Sequence, residues 1–373
     1  MIEKLNAEVL IRATKRLKQS GWKYQTQRFM INRLAEIAAM EEEIRNGTYK
    51  PSNGSTFEIN ENGHRRIVKS MRPRDAVFQH ALSDEILIPE LSRYLIHDNG
   101  AGQKGRGISF TRRRLEQHLH WHFRRYGTEG YVLLIDFSKY FDNIRHDIAM
   151  DRIQRKIKDE KVLYFIRQIF DSYKVDISYS NDDNIMDEIF NALEYQKIPE
   201  ELKTGKRYML KSLGIGSPIA QIVGLFLPSE IDNYIKSVKG IHCYDVYMDD
   251  RIIIHPDKQY LKGLLKDIEA MAGKLGIHVN PRKTQIIKIS HGFTWLKTRY
   301  YITNTGKIIK KIPRDVVKRE RRKLKRLAGK VRAGEMTESE YINLYKSWRE
   351  DKKKYNAYHT LTNMDLLVRR LLK

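Results

Sequence analysis

Residues 243–255, CYDVYMDDRIIIH, place two adjacent aspartates between two apolar segments. This pattern predicts a β-hairpin with strands at 243–247 and 251–255, joined at Met248-Asp249-Asp250, although the turn lacks the usual glycine. A second apolar run, Tyr131–Ile135 (YVLLI), ends at Asp136 and predicts a short buried strand. The chain therefore carries three aspartates at the ends of apolar strands.

Carboxylates at strand ends can be held rigidly while their charge faces a cleft. Asp136, Asp249 and Asp250 would repel one another strongly if they met without cations between them. Carboxylate oxygens suit Mg²⁺, which shares its remaining ligand positions with substrate phosphates. We expect two Mg²⁺ ions here, with Mn²⁺ as a substitute. An isolated Asp-Asp pair is more often a polar hairpin tip, but a second Asp-terminated strand in a very basic chain favours the metal site.

The composition indicates a nucleic-acid partner. The chain has 373 residues, 41% of them hydrophobic, which is enough for two or three subdomains. It carries 70 Lys and Arg against 46 Asp and Glu, a formal net charge of +24 that is spread along the sequence. A folded protein of this charge favours a polyanion. The alternative is a ribosome-associated or generally adhesive basic protein.

Other features exclude several classes of protein. The single cysteine, Cys243, excludes an internal disulfide and a cysteine-rich zinc site. The start, MIEKLNAEVL, lacks the apolar core of a secretion signal, and no apolar run approaches the roughly 18 residues that span a bilayer. We expect a soluble, cytoplasmic protein that does not bind membranes.

Two motifs resemble those of reverse transcriptases. Tyr247-Met248-Asp249-Asp250 is similar to the YxDD box of this family, and residues 136–144, DFSKYFDNI, resemble its first catalytic motif, in particular that of bacterial members. The resemblance covers about residues 60–300. It implies an α+β fold of the right-hand polymerase type, with fingers, a palm built on an antiparallel sheet, and a helical thumb. It also implies an RNA-directed DNA polymerase with Asp136, Asp249 and Asp250 as catalytic metal ligands.

The resemblance assigns a nucleotide pocket. Phe137 would offer its backbone carbonyl to the metals, and the ring of Phe141 would exclude ribonucleotides by crowding the sugar 2′ position, although a core aromatic is the commoner fate of Phe. Residues 213–221, LGIGSPIAQ, resemble the next family motif. Ile215 stands where many members have Gln, and Gly216 would let the backbone approach the nucleotide. With Gln221, this pattern is similar to the reverse transcriptases of diversity-generating retroelements, which copy adenines unfaithfully.

Basic segments before the palm resemble the fingers motifs of the family. A hairpin is predicted from FEIN (57–60) to RRIVKS (65–70), with its turn at Glu61-Asn62-Gly63. Residues 102–107, GQKGRG, form a glycine-rich loop that resembles the second fingers motif and could bind phosphate through its backbone N–H groups. For any single cation in these segments, solvated surface charge is nearly as good an explanation. The candidates for the triphosphate are Arg66 and Lys69, and those for nucleic acid are Arg72, Arg74, Lys104 and Arg106.

The C-terminal third resembles the motifs that close the polymerase. Lys283, in residues 280–284 (NPRKT), would protonate the departing pyrophosphate. A strand pair across residues 293–309 would carry the primer grip. A basic, amphipathic thumb helix would follow a heteroduplex by its shape and phosphates. The primer-grip candidates are Phe293, Trp295 and Leu296, and the thumb candidates are Arg321, Arg322 and Lys325.

We predict a helical extension at 1–50, fingers at 51–126, a palm at 127–290 with an insertion at 174–206, and a primer-grip hairpin with thumb at 291–373. The expected partners are template RNA, the RNA/DNA heteroduplex and dNTPs. An accessory protein, a structured noncoding RNA and self-association stay open. The alternatives within the class are an antiphage-defence reverse transcriptase with a dedicated structured RNA and a small intron or retron enzyme. The alternatives outside it are a polymerase-like protein that only binds RNA and an RNA-directed RNA polymerase, which Phe141 disfavours.

Overall fold

The computed structural model describes residues 1–52, 54, 56–61, 64–176, 208–214 and 216–372. Most of the predicted insertion at 174–206 lies outside them. The strands are β1 (Thr56–Glu61), β2 (His64–Lys69), β3 (Tyr131–Ile135), β4 (Val175–Asp176), β5 (Tyr208–Met209), β6 (Tyr244–Tyr247), β7 (Asp250–His255), β8 (Gln285–Lys288), β9 (Phe293–Trp295), β10 (Thr298–Ile302) and β11 (Ile308–Lys311).

Helices fill most of the remaining described chain. The α-helices are α1 (Ala7–Ala13), α2 (Tyr24–Ile31), α3 (Arg33–Asn46), α4 (Pro73–Leu82), α5 (Ile88–Leu91), α6 (Ile108–Tyr126), α7 (Tyr140–Asn143), α8 (His146–Gln154), α9 (Glu160–Ser172), α10 (Pro218–Phe226), α11 (Ser229–Asn233), α12 (Lys258–Lys274), α13 (Arg314–Arg332), α14 (Glu338–Lys352) and α15 (Tyr358–Leu371). Short 3-10 or π-helical turns are Ile2–Lys4, Thr14–Ser20, Ser83–Leu87, Ser92–Tyr94, Tyr234–Val238 and Ile289–His291.

The centre of the fold is a four-stranded antiparallel sheet in the order β6-β7-β3-β8. Because side chains alternate along a strand, Leu133 and Ile135 pack into the large helical core while Val132 faces the other way. That second face is covered by α6, through Leu115 and Leu119, and by the sheet of β9 to β11. The predicted α+β class with antiparallel sheets is confirmed.

The predicted hairpins are present, with two differences. The strands β1 and β2 pair from Thr56↔Lys69 to Glu61↔His64. The strand pair expected across residues 293–309 is instead a three-stranded antiparallel sheet in the order β11-β10-β9. The predicted central hairpin turn is one residue shorter than expected, because Asp250 already pairs with Tyr247.

Helices close both ends of the described chain. The N-terminal helices α1 and α3 pack together, α1 also packs on α4, and α3 ends at Gly47, whose φ of 73° is left-handed. Helices α13 to α15 form a separate small core around Leu324, Tyr341 and Met364. Helix α14 begins with a capping box between Thr337 and Glu340. None of the described helices combines the length and apolar character that crossing a membrane requires.

Candidate active site

The three predicted aspartates come together at one edge of the central sheet. The pairing Ile135↔Arg251 places Asp136, which directly follows β3, beside Asp250 on β7. Asp249 lies one residue further, in the two-residue turn between β6 and β7. The turn includes Met248 at a φ of 57°, a left-handed conformation that is uncommon for residues other than glycine. The antiparallel register therefore unites carboxylates that are far apart in sequence.

The carboxylates perturb one another. Burial, then the charge of Asp249 and then that of Asp136, raise the pKa of Asp250 to about 7. Burial and the charge of Asp136 also raise the pKa of Asp249 above its ordinary value. A nearby cation would stabilise the ionised form of such a carboxyl, which burial and two acidic neighbours disfavour. The donor set consists of carboxylate oxygens, which matches the preference of Mg²⁺.

The segment that contains Lys283 completes this edge. Asn280 donates its backbone N–H to the carbonyl of Asp136 at 2.7 Å and its side-chain amide to Oδ2 at 3.2 Å. The ammonium of Lys283 lies 3.2 Å from Oδ1 of the same carboxylate, and its side chain is 64% exposed. Both oxygens of Asp136 are therefore engaged, and the exposed Lys283 can leave without breaking buried contacts.

A buried ion pair that the sequence analysis missed supports the hairpin tip. Arg251 and Asp232 are fully buried, with 3.0 Å between Nε and Oδ1, and Tyr244 donates to the same oxygen at 2.6 Å. Arg251 also donates through Nη1 to the carbonyls of Met248 at 3.5 Å and Asp249 at 3.2 Å. This guanidinium therefore holds the turn that lacks a glycine. The available signal was an arginine that begins an apolar strand directly after the aspartates.

A second acidic cluster lies behind β6. Among the described residues, only Asp98, His118 and Asp245 form a group of three metal-type side chains whose ligand atoms all lie within 4.8 Å of one another. His118 Nδ1 is 2.7 Å from Asp245, and Asp98 accepts from Arg114 Nε at 2.5 Å and pairs with Lys236 Nζ at 2.6 Å. Because two cations of the chain already neutralise Asp98, we interpret this cluster as an ion-pair network that joins α6 to β6.

Phe141 lies beside α10. A Cβ built on Gly224 would come within 2.7 Å of its ring, so the glycine makes room for Phe141. The neighbouring Tyr140 donates to the carbonyl of Gly224 at 2.6 Å. Phe141 remains half-buried, whereas the side chain of Phe137 is buried under Arg251, whose guanidinium carbon is 4.6 Å from its ring centre. Gly224 is another residue that the sequence analysis did not single out.

The remaining pocket candidates lie at the start of α10. Ile215 falls outside the described residues. Gly216 has a φ of 102° and open space where a Cβ would stand. Gln221 is exposed, and its amide nitrogen lies 3.4 Å from the Cβ position of Gly102. The glycine-rich loop before α6 therefore meets α10 through these residues.

The fingers candidates differ in their surroundings. The backbones of Arg66 and Lys69 are in β2, but their side chains are not described. Arg72 and Lys104 are exposed. Arg74 pairs with Glu43 of α3 at 2.7 Å, and Arg106 donates to the carbonyl of His97 at 2.9 Å. Arg74 and Arg106 therefore already make contacts within the protein.

The primer-grip candidates lie next to the carboxylates. A cavity of about 280 Å³ is lined by Asp136, Asp250 and Lys283 on one side and by Trp295 and Leu296 on the other. The side chains of Phe293 and Trp295 are buried, and Arg112 donates to the carbonyl of Leu296 at 2.6 Å. The β9–β10 turn is thus fixed against the acidic edge.

The thumb candidates lie further away. Arg321, Arg322 and Lys325 of α13 line a groove of about 390 Å³ with Asn363 and Arg370 of α15. These cations are therefore grouped on the thumb and do not line the cavity that contains Asp136.

This arrangement, a palm-like antiparallel sheet with acidic strand ends, is typical of a nucleic-acid polymerase. Residues 103–300, more than half of the chain, match the family model described as reverse transcriptase (RNA-dependent DNA polymerase). The chain therefore belongs to the reverse transcriptase family. Among curated proteins, no sequence matches it.

Solved structures similar to this chain include two yeast telomerases. The telomerase from Candida albicans in complex with a TWJ fragment of telomeric RNA has a TM-score of 0.47 and 12% identity, covering 88% of this chain and 54% of that chain. The apo telomerase from Candida Tropicalis has a TM-score of 0.48 and 15% identity, covering 70% and 49%. The chain thus spans about half the length of these telomerase chains.

Proposed function

We propose that this chain is an RNA-directed DNA polymerase that adds deoxynucleotides to a primer end on an RNA template. The observation that carries the proposal is the meeting of Asp136, Asp249 and Asp250 at one sheet edge, where the pKa of Asp250 is raised to about 7 by burial and by its two acidic neighbours. Membership of the reverse transcriptase family supports the same reaction.

The chemistry of the donor set fits two Mg²⁺ ions, with Mn²⁺ as a substitute. Asp136, Asp249 and Asp250 would hold them, together with the backbone carbonyl of Phe137. When bound, such ions activate the primer 3′-hydroxyl and neutralise charge on the departing pyrophosphate. The protein itself mainly positions the reactants.

Lys283 would act at the leaving group. Its ammonium is within 3.2 Å of Asp136 and its side chain is mostly exposed, so it can turn from the carboxylate towards a bound triphosphate. An ammonium near the pyrophosphate can donate a proton as negative charge develops there. Arg66 and Lys69 on β2 would hold the triphosphate, and Ile215, Gly216 and Gln221 would border the base.

We propose that the remaining candidate residues bind the nucleic acid. The cations of the fingers and the groove of Arg321, Arg322 and Lys325 would follow the template RNA and the heteroduplex, and Phe293, Trp295 and Leu296 would hold the primer end. We also propose the division into a helical extension (1–50), fingers (51–126), palm (127–290) and thumb (291–373).

Sugar selection provides the first test. The ring of Phe141 fills space beside Gly224, and we propose that it excludes a 2′-hydroxyl. On a primed RNA template, the wild-type protein should incorporate dNTPs and reject rNTPs, and Phe141→Ala should lower this discrimination by about 10- to 100-fold. Single-nucleotide incorporation with dNTPs and rNTPs measures the ratio. Tyr126→Ala, which removes a half-exposed ring at the end of α6, is the control. Wild-type preference for rNTPs would contradict the DNA product.

For the biological role we propose a diversity-generating retroelement or a related bacterial element. The resemblance of residues 213–221 supports this role. The alternatives are an antiphage-defence enzyme that works with a structured noncoding RNA and a protein that only binds RNA. A near-duplicate repeat pair differing at adenines in the neighbouring DNA would favour the retroelement, and a structured noncoding RNA without such repeats would favour defence.

A further inference from the structure

A large cavity lies at the base of the thumb. It has a volume of about 970 Å³ and forms where β10 and β11 meet the first turns of α13 and α15. It shares Thr294, Pro313 and Asp315 with the smaller cavity that contains Asp136 and Asp250. The large cavity therefore adjoins the acidic cleft, and Asp136 and Asp250 do not line it.

The lining of this thumb-base cavity is strongly cationic. Its cationic side chains are Arg299, Lys311, Arg314 and Lys318. Within the described ranges, no carboxylate forms a salt bridge with any of the four. The acidic lining residue, Asp315, pairs with Arg319 at 3.3 Å. Helices α13 and α15 both begin here without a side-chain cap, which adds the partial positive charge of their first N–H groups. The cavity therefore suits an anion.

The volume of the cavity and its aromatic side chains indicate a ligand that carries a planar group as well as a phosphate. Its volume is at the upper end of the roughly 300–1,000 Å³ typical of cavities that enclose organic ligands. Tyr358 lines it with 77% of its surface exposed, and its described ring contact is an edge-on one with His359 at 5.5 Å. The ring of Tyr301, by contrast, is already covered by Arg299, whose guanidinium carbon lies 5.0 Å from the ring centre. Tyr358 thus offers an open surface for a planar group beside the cations.

We propose that the thumb-base cavity binds an unpaired segment of RNA, with phosphates against the four cations and a base stacked on Tyr358. Cationic grooves with exposed aromatic rings are the usual means of binding single strands. A base inside an A-form duplex is already stacked on both faces, so a duplex could not use Tyr358 in this way. The inference rests on the proposed function, since the cavity adjoins the cleft that would hold the template.

Binding of a short unpaired RNA to the full chain tests the proposal. Fluorescence anisotropy with a labelled oligouridine of about eight nucleotides should show that Tyr358→Ala weakens binding by about 5- to 100-fold, whereas Tyr358→Phe keeps it. Tyr24→Ala removes a tyrosine that is 74% exposed on α2 and should change nothing. The affinity for a blunt RNA/DNA duplex should stay within about twofold in all three variants, because duplex bases do not reach Tyr358.

The charges have their own test. Arg314→Gln/Lys318→Gln should make the dependence of log Kd on log salt shallower by about 1.4, the value for two lost phosphate contacts on a single strand. Lys262→Gln/Lys266→Gln, the same spacing on α12, is the matched control. The proposal is overturned if Tyr358→Ala binds the oligonucleotide normally, or if poly-glutamate displaces the RNA at equal charge concentration. Absence of primer extension by the wild-type protein, with oligonucleotide binding and its loss in Tyr358→Ala as expected, would instead count against the proposed function alone.

Discussion

Two acidic clusters include residues of the β6–β7 hairpin, and their surroundings shift the pKa of Asp98 and that of Asp250 in opposite directions. In the cluster of Asp98, His118 and Asp245, burial alone would raise the pKa of Asp98, but hydrogen bonds from Arg114 and Lys236 lower it to about 2. At the hairpin tip, burial and neighbouring carboxylates raise the pKa of Asp250 to about 7. The chain itself thus neutralises Asp98, while burial raises the pKa of Asp245 in the same cluster. The three carboxylates of the hairpin tip would gain from added cations.

This contrast shows that the spacing of ligand atoms alone does not identify a metal site. The tighter group is the one behind β6, yet Arg114 and Lys236 already compensate the charge of Asp98, and His118 pairs with Asp245. The acidic edge of Asp136, Asp249 and Asp250 has the cation of Lys283, which is largely exposed. Charge balance, together with access to a cleft, distinguishes the candidate catalytic site.

The largest effect on stability should come from the buried ion pair of Arg251 and Asp232, which supports the hairpin tip. Arg251→Met leaves the carboxylate of Asp232 fully buried without its cation, and should lower the free energy of unfolding by about 3–5 kcal/mol. Urea unfolding measures the loss. Adding Asp232→Asn removes the stranded charge and should restore part of the stability, but not the hydrogen bonds to the hairpin turn. A loss below about 1 kcal/mol would mean that Arg251 does not hold the tip.

Removing the carboxylate of Asp98 should lower the free energy of unfolding by less than Arg251→Met does. Asp98→Asn leaves Arg114 and Lys236 without their anion, and should lower the free energy of unfolding by about 1–3 kcal/mol at pH 7. Because the pKa of Asp98 is depressed when folded, this stabilisation is present above its ordinary pKa of 3.8 and lost as the pH falls towards about 2. The Mg²⁺ concentration for half-maximal synthesis should not change. A large shift in that concentration would place a functional metal at Asp98.

Removing a charge from the cluster at the hairpin tip should raise the free energy of unfolding, whereas removing Asp98 lowers it. Asp250→Asn should raise the stability of the metal-free protein by about 2 kcal/mol, about half of what the pKa shift would give for a wholly buried group. Because the pKa of Asp250 is raised when folded, the wild-type protein loses this stability as the pH rises from about 4 to about 7, and the variant does not. Thermal unfolding in EDTA across that range compares them. Destabilisation by Asp250→Asn would show that the edge is not electrostatically strained.

Local patterns were sufficient to predict the elements that carry the site. Short apolar runs ending in acids predicted β3 and the β6–β7 hairpin. The sheet of β9 to β11 was predicted as a strand pair, because no glycine marks the tight turn between β9 and β10, where Leu296 and Lys297 have φ values of 45° and 57°.

The missed parts depend on contacts between distant residues. Arg251 of β7 pairs with Asp232 of α11, and Phe141 of α7 packs against Gly224 of α10. Asp98 pairs with Arg114 of α6 and with Lys236. Each partner alone reads as an ordinary surface or core residue. Only the fold determines which charges meet, and therefore which acidic cluster lacks cations.

The most direct measurement is primer extension with dNTPs on an RNA template across a Mg²⁺ titration, comparing the wild-type protein with Asp249→Asn and Asp98→Asn. We predict that Asp249→Asn still binds the primed template but extends it at least about 10³-fold more slowly at every Mg²⁺ concentration. Asp98→Asn should keep the wild-type rate. Synthesis by Asp249→Asn at a rate close to wild type would contradict the assignment of the catalytic site to this edge.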